Sequence, residues 1–110
     1  PPAEIAAKHA AAAGDREALE KALARPMYPG SGRKAAALFL ELGALAAGAG
    51  DAEGALRAFE RSVESRLSAV GRGGRDVERR AAWSAASHVA RSRGAEAVAV
   101  ACEERARGPV

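Results

Sequence analysis

Phe39-Leu40-Glu41-Leu42-Gly43-Ala44-Leu45-Ala46-Ala47-Gly48-Ala49-Gly50-Asp51-Ala52-Glu53-Gly54-Ala55-Leu56-Arg57-Ala58-Phe59 holds two helical patterns hinged on one glycine. The residues before Gly50 are apolar nearly all round, as in a helix buried on most sides. Gly50 supplies the left-handed residue that closes such a helix. Asp51 follows at once, where its side chain caps the orphan N–H groups of a second helix. Glu53 falls in that helix's first turn, where the dipole favours an acid. Gly43, Ala46 and Ala55 are small enough to let two antiparallel helices approach closely. Phe39 and Phe59 then fill the space beside that contact.

The same punctuation occurs twice more. Ala10-Ala11-Ala12-Ala13-Gly14-Asp15-Arg16-Glu17-Ala18-Leu19 precedes it, and Ala90-Arg91-Ser92-Arg93-Gly94-Ala95-Glu96-Ala97-Val98 follows. The glycines are 36 residues apart from Gly14 to Gly50 and 44 from Gly50 to Gly94. Internal periods of this size indicate a solenoid of helix pairs. Helices are expected over about 3–13, 15–25, 33–48, 51–69, 75–93 and 95–107. They make one all-α domain over 1–110, with units at about 3–26, 33–70 and 75–108. Pro26, Pro29, Gly30 and Gly32 separate the first unit from the second, and Gly71, Gly73 and Gly74 the second from the third. Ser31 is placed to cap the helix over 33–48. Five acid-before-base pairs four residues apart suit exposed helix faces: Glu4–Lys8, Glu17–Lys21, Glu53–Arg57, Asp76–Arg80 and Glu103–Arg107.

The middle unit resembles a tetratricopeptide (TPR) repeat. Phe39, Leu42, Gly43 and Ala46 stand where that family places a large aromatic, Leu-Gly and a small residue. Gly50, Ala55, Phe59 and Ser62 continue the pattern, while the family's closing proline is absent and Leu67 lies near its place. The third unit keeps Trp83 eleven residues before Gly94, as Phe39 stands before Gly50, with small residues at Ser87, Ala90 and Ala99. The first keeps Ala7, Ala10, Gly14, Leu19 and Leu23 but has no aromatic, as a capping unit would. The resemblance implies about six antiparallel helices in three TPR-like pairs forming a short right-handed solenoid. The related pentatricopeptide family, which binds single-stranded RNA, shares this layout. The ending from Ala97 to Val110 has some of its character, but its 35-residue period fits the 44-residue spacing poorly.

Composition narrows the classes. The chain has 110 residues, 31 of them alanine, and Ile, Leu, Val and Phe together number 18. Alanine is the best helix former, and the chain lacks threonine and has few other β-branched residues, so a sheet protein is excluded. Few large side chains mean a thin surplus of burial over chain entropy, which suits a chain that leans on a partner surface. Net charge is +3 but uneven. Residues 61–93 carry eight arginines (Arg61, Arg66, Arg72, Arg75, Arg79, Arg80, Arg91 and Arg93) against Glu64, Asp76 and Glu78, a net of +5. No stretch is long and apolar enough to span a bilayer, and Ala35–Ala49 reads as a central core helix.

Chemistry-bearing patterns are sparse. Pro29-Gly30-Ser31-Gly32-Arg33-Lys34 has glycines and a lysine, but not the spacing, the following Ser/Thr or the preceding strand of a phosphate loop. His9 and His88 lie in different helices with no acid placed to complete a metal pair. Cys102 is a lone thiol on the last helix, flanked by Val98 and Val100, and reads as a small buried hydrophobe. One cysteine forms neither an internal disulfide nor a cysteine zinc cage. No catalytic, cofactor-binding or metal residue is assigned, no cofactor is expected, and the chain is read as a non-enzyme.

The functional expectation is a protein-protein interaction module or small scaffold subunit of a larger assembly. It would hold a peptide, helix or acidic segment of a protein partner on the concave face made by the first helix of each pair. Arg75, Arg79, Arg80, Arg91 and Arg93 are the candidate partner-binding residues, as an Arg-rich end of that groove. The alternative is a single-stranded RNA-binding helical repeat that uses the Arg-rich segment 61–93, with Trp83 as a stacking platform. Pro1-Pro2 at the start reads as a fragment or a processed product. The compartment expected is soluble and reducing, cytoplasm or an organelle after loss of a transit peptide.

Overall fold

Three identical turns set the architecture. Gly14, Gly50 and Gly94 have φ of 69°, 82° and 78°. In each turn the glycine N–H reaches back three residues, to the carbonyls of Ala11, Ala47 and Arg91. The next N–H, of Asp15, Asp51 or Ala95, reaches back five, to Ala10, Ala46 or Ala90, at 2.9–3.0 Å. This Schellman pairing satisfies the last carbonyls of one helix and lets the chain start another within three residues. Asp15 then accepts from the Ala18 N–H at 3.1 Å and Asp51 from the Gly54 N–H at 2.9 Å. Ala95 has no such side chain, so the third turn depends on backbone bonds alone.

The computed structural model describes residues 2–26 and 32–108. All regular structure among them is helical: α1 Pro2–Ala13, α2 Arg16–Leu23, α3 Gly32–Gly48, α4 Ala52–Ser68, α5 Arg75–Ser92 and α6 Glu96–Arg107. No strand occurs among the described residues. The helix over 15–25 was expected to be longer; α2 stops at Leu23, and the Ala24 and Arg25 N–H groups close its end by bonding to Glu20 and Ala22. Proline at position 26 explains the early stop, since the ring has no N–H and disfavours helix before it. The expected cap by Ser31 and the breaks at Pro29 and Gly30 lie outside the described residues.

Each helix contacts the one joined to it by a glycine turn: α1 with α2, α3 with α4 and α5 with α6. Among the odd helices, α3 touches both α1 and α5. The Cα extents are 41 × 35 × 17 Å. The short dimension fits two layers of helices at an interaxial spacing of about 8–10 Å.

The core divides into two clusters. One gathers Ala7, Leu19, Leu23, Leu38, Phe39 and Leu42, with Ala58 of α4. The other gathers Phe59, Val63, Trp83, Val98 and Cys102 among small residues of α3, α4, α5 and α6. The expected close approach lies in the second. A methyl group on Gly43 would collide with the Phe59 ring, which is 0% exposed. Phe39 does not share that space; it belongs to the first cluster. Ser62, read only as a small residue, also ties α4 to α3: its buried hydroxyl donates to the Ala36 carbonyl at 2.7 Å.

Of the five expected i,i+4 ion pairs only Glu4–Lys8 lies within ion-pair distance, at 3.5 Å. Two of the acids pair elsewhere, one across helices and one a turn away on its own helix. Glu103 is held by Arg91, and Asp76 by Arg79 rather than Arg80. A solvent-exposed helix pair contributes only about 0.2–0.5 kcal/mol, so a better-placed guanidinium displaces it.

Candidate functional site

The Arg-rich segment is mostly engaged with its own fold. Arg75 donates to the Leu67 carbonyl at 2.9 Å and so closes the end of α4. Arg66 pairs with Glu78 at 2.7 Å, and Arg79 with Asp76 at 3.2 Å. Arg91 forms two bonds with Glu96, at 2.9 and 3.0 Å, and one with Glu103 at 2.7 Å, clasping α5 to α6. These bonds raise the Arg91 pKa, first through Glu96 and then through Glu103. The Arg61 guanidinium lies 4.8 Å from the centre of the Phe39 ring. Among the described residues Arg72, Arg80 and Arg93 alone of the eight have no ion-pair, hydrogen-bond or ring partner within the fold.

The five candidate arginines do not form one patch. Arg79 and Arg91 are twelve residues apart on one straight helix, about 18 Å. Arg75, Arg79 and Arg80 stand near the start of α5, while Arg91 and Arg93 stand at its end. Arg80 and Arg93 are exposed; Arg75 and Arg91 are spent on structure.

Two hollows lie where an odd helix meets two even ones. The first, about 520 Å³, sits between α2, α3 and α4. Leu23, Phe39, Leu42 and Ala58 form its floor, and each is at most 9% exposed. Arg16, Arg57 and Arg61 alternate on its walls with Glu20, Glu60 and Glu64. At its edge Arg16 bonds to Asp51, joining the start of α2 to the cap of α4. Gly54 makes that bond possible, because any side chain there would strike both partners. Arg16, and next the Gly54 N–H, hold the Asp51 carboxyl below the usual carboxylate range.

The second hollow, about 430 Å³, is lined by Glu60, Arg79, Trp83, Glu104, Arg105 and Gly108. Arg105 lies 5.0 Å from the centre of the Trp83 ring. Phe39 and Trp83 are 44 residues apart, and so are Arg61 and Arg105, and Glu60 and Glu104. The same three-residue arrangement therefore occurs twice, and Glu60 lines both hollows. Neither hollow was legible in the sequence. The signal was present in the matching 22-residue intervals from Phe39 to Arg61 and from Trp83 to Arg105, but Arg61 was read only as charge and Arg105 was not singled out. Trp83 is 6% exposed and belongs to the second core cluster, with a guanidinium already over its ring.

Glu4 is another residue the sequence placed differently. It is 6% exposed, and Lys34 of α3 joins Lys8 at its carboxylate, at 3.4 and 3.5 Å. Burial, the largest single influence, pushes its pKa up, but the two ammonium groups together outweigh it and the net shift is downward. A carboxyl with a depressed folded pKa adds stability above its unfolded value, and that stability is lost as pH falls through the folded value. Glu4→Gln is therefore expected to leave a shallower loss of Tm on acidification below the ordinary carboxylate value of 4.5. Thermal melts of both proteins from pH 7 to pH 2 check this; identical slopes would remove the Glu4 bridge from the account.

Other groups are placed as follows. Cys102 is 0% exposed, and burial pushes its thiol up to about 11, so it is protonated at neutral pH. His9 and His88 are exposed on α1 and α5. Among the described residues no three His, Cys, Asp or Glu side chains stand together as metal ligands, and no helix is long and apolar enough to cross a membrane. No family model, curated protein or solved structure matches the chain.

Proposed function

We propose that the chain is a non-catalytic interaction module, or a small scaffold subunit of a larger assembly, that seats an apolar side chain of a protein partner in the hollow between α2, α3 and α4. The observation that carries this reading is the hollow itself. It combines an apolar floor with walls of both charges, and its volume lies in the range of about 300–1,000 Å³ typical of binding clefts. Its recurrence over Trp83 supports a fold of three antiparallel, TPR-like helix pairs in a short right-handed solenoid. The two- and three-residue turns, the contacts within each pair and the contacts of α3 with both α1 and α5 support the same fold.

The seat in this reading differs from the Arg-rich groove end expected on the odd helices. Those arginines are separated along α5 and partly consumed, whereas the hollow offers a shaped apolar surface. The RNA-binding alternative has Arg72, Arg80 and Arg93 left to contact phosphate.

Ala24 tests the proposal. It is exposed, lines the hollow and is no member of either core cluster. Ala24→Trp fills the hollow from outside. The chain and this variant would be purified from the native cells with and without nuclease. A protein companion that survives nuclease should bind the variant about 30-fold more weakly or worse, the loss of one interface hot spot. Equal binding would move the partner off this hollow. A companion lost with nuclease, and an affinity falling steeply with salt, would put the RNA reading in its place.

A further inference from the structure

We draw no further inference here: the strongest candidate, the hollow between α2, α3 and α4, belongs to the site already described, and with three arginines balanced by three glutamates on its walls nothing in the structure shows what covers it.

Discussion

Phe59→Ala should cost about 3–5 kcal/mol of folding free energy, the range for emptying a buried aromatic site. Phe59 is the largest fully buried side chain among the described residues. It stands between α3 and α4 at their closest approach and also belongs to the cluster that holds Trp83, Val98 and Cys102. More than half of the buried residues in its cluster are alanine, which has no long side chain to swing into the vacancy. The cavity term should therefore be felt in full. Small domains are stable by about 5–15 kcal/mol, so a loss of this size removes a large share of the total. Urea denaturation followed by helical circular dichroism measures the loss. A cost below about 1.5 kcal/mol would mean that the ring does not organise the α3–α4 contact.

Gly43→Ala should destabilise, against the helix-propensity scale. Alanine in a helix interior is favoured over glycine by about 1 kcal/mol. At position 43 the added methyl meets the Phe59 ring, and that ring has no free space to retreat into. Overpacking of this kind typically costs about 1–3 kcal/mol and should reverse the sign. Gly48→Ala, in the last turn of the same helix, is the control. Its methyl would have only an ordinary contact with Arg93, at 3.8 Å, and propensity should prevail. Stabilisation by both substitutions would sink the close-contact account. Because Gly43 and Phe59 touch, Gly43→Ala and Phe59→Leu should also combine non-additively in a double-mutant cycle.

Local chemistry made the helix boundaries readable. A glycine at positive φ followed by an acidic cap needs only four or five consecutive residues, and Gly14-Asp15 and Gly50-Asp51 announce it openly. The small residues at Gly43, Ala46 and Ala55 were equally plain, because close helix approach needs the same size at fixed intervals. The destination of the charges was not readable. On sequence grounds Arg91 is one more exposed charge; only the fold brings Glu96 and Glu103 to its guanidinium. Glu4 sits in a tidy Glu4–Lys8 pattern that suits an exposed face, yet its side chain is covered and Lys34, thirty residues on, makes it a bridge between α1 and α3. The hollow over Phe39 depends on α2 and α4 standing apart while both touch α3, a spacing no run of residues encodes by itself. The local bias toward arginine was read as a surface for a partner, and the fold shows that Arg66, Arg75, Arg79 and Arg91 also bond within it.

The division of the core has a consequence for how the molecule opens. The first helix pair rests on one cluster, and the aromatic pair Phe59 and Trp83 on the other. Polar bridges also join α1 and α2 to the rest, through Glu4–Lys34 and Arg16–Asp51. Cooperative units of this kind open separately, each with its own free energy. The first pair is expected to open while the second cluster stays closed, so amide exchange at Phe59 should report global unfolding and exchange at Leu19 a smaller event. That smaller event removes the α2 wall of the hollow. On the proposed reading, a partner seated there would hold the first helix pair shut, and a sequence change that loosens α1 should weaken its binding without touching it.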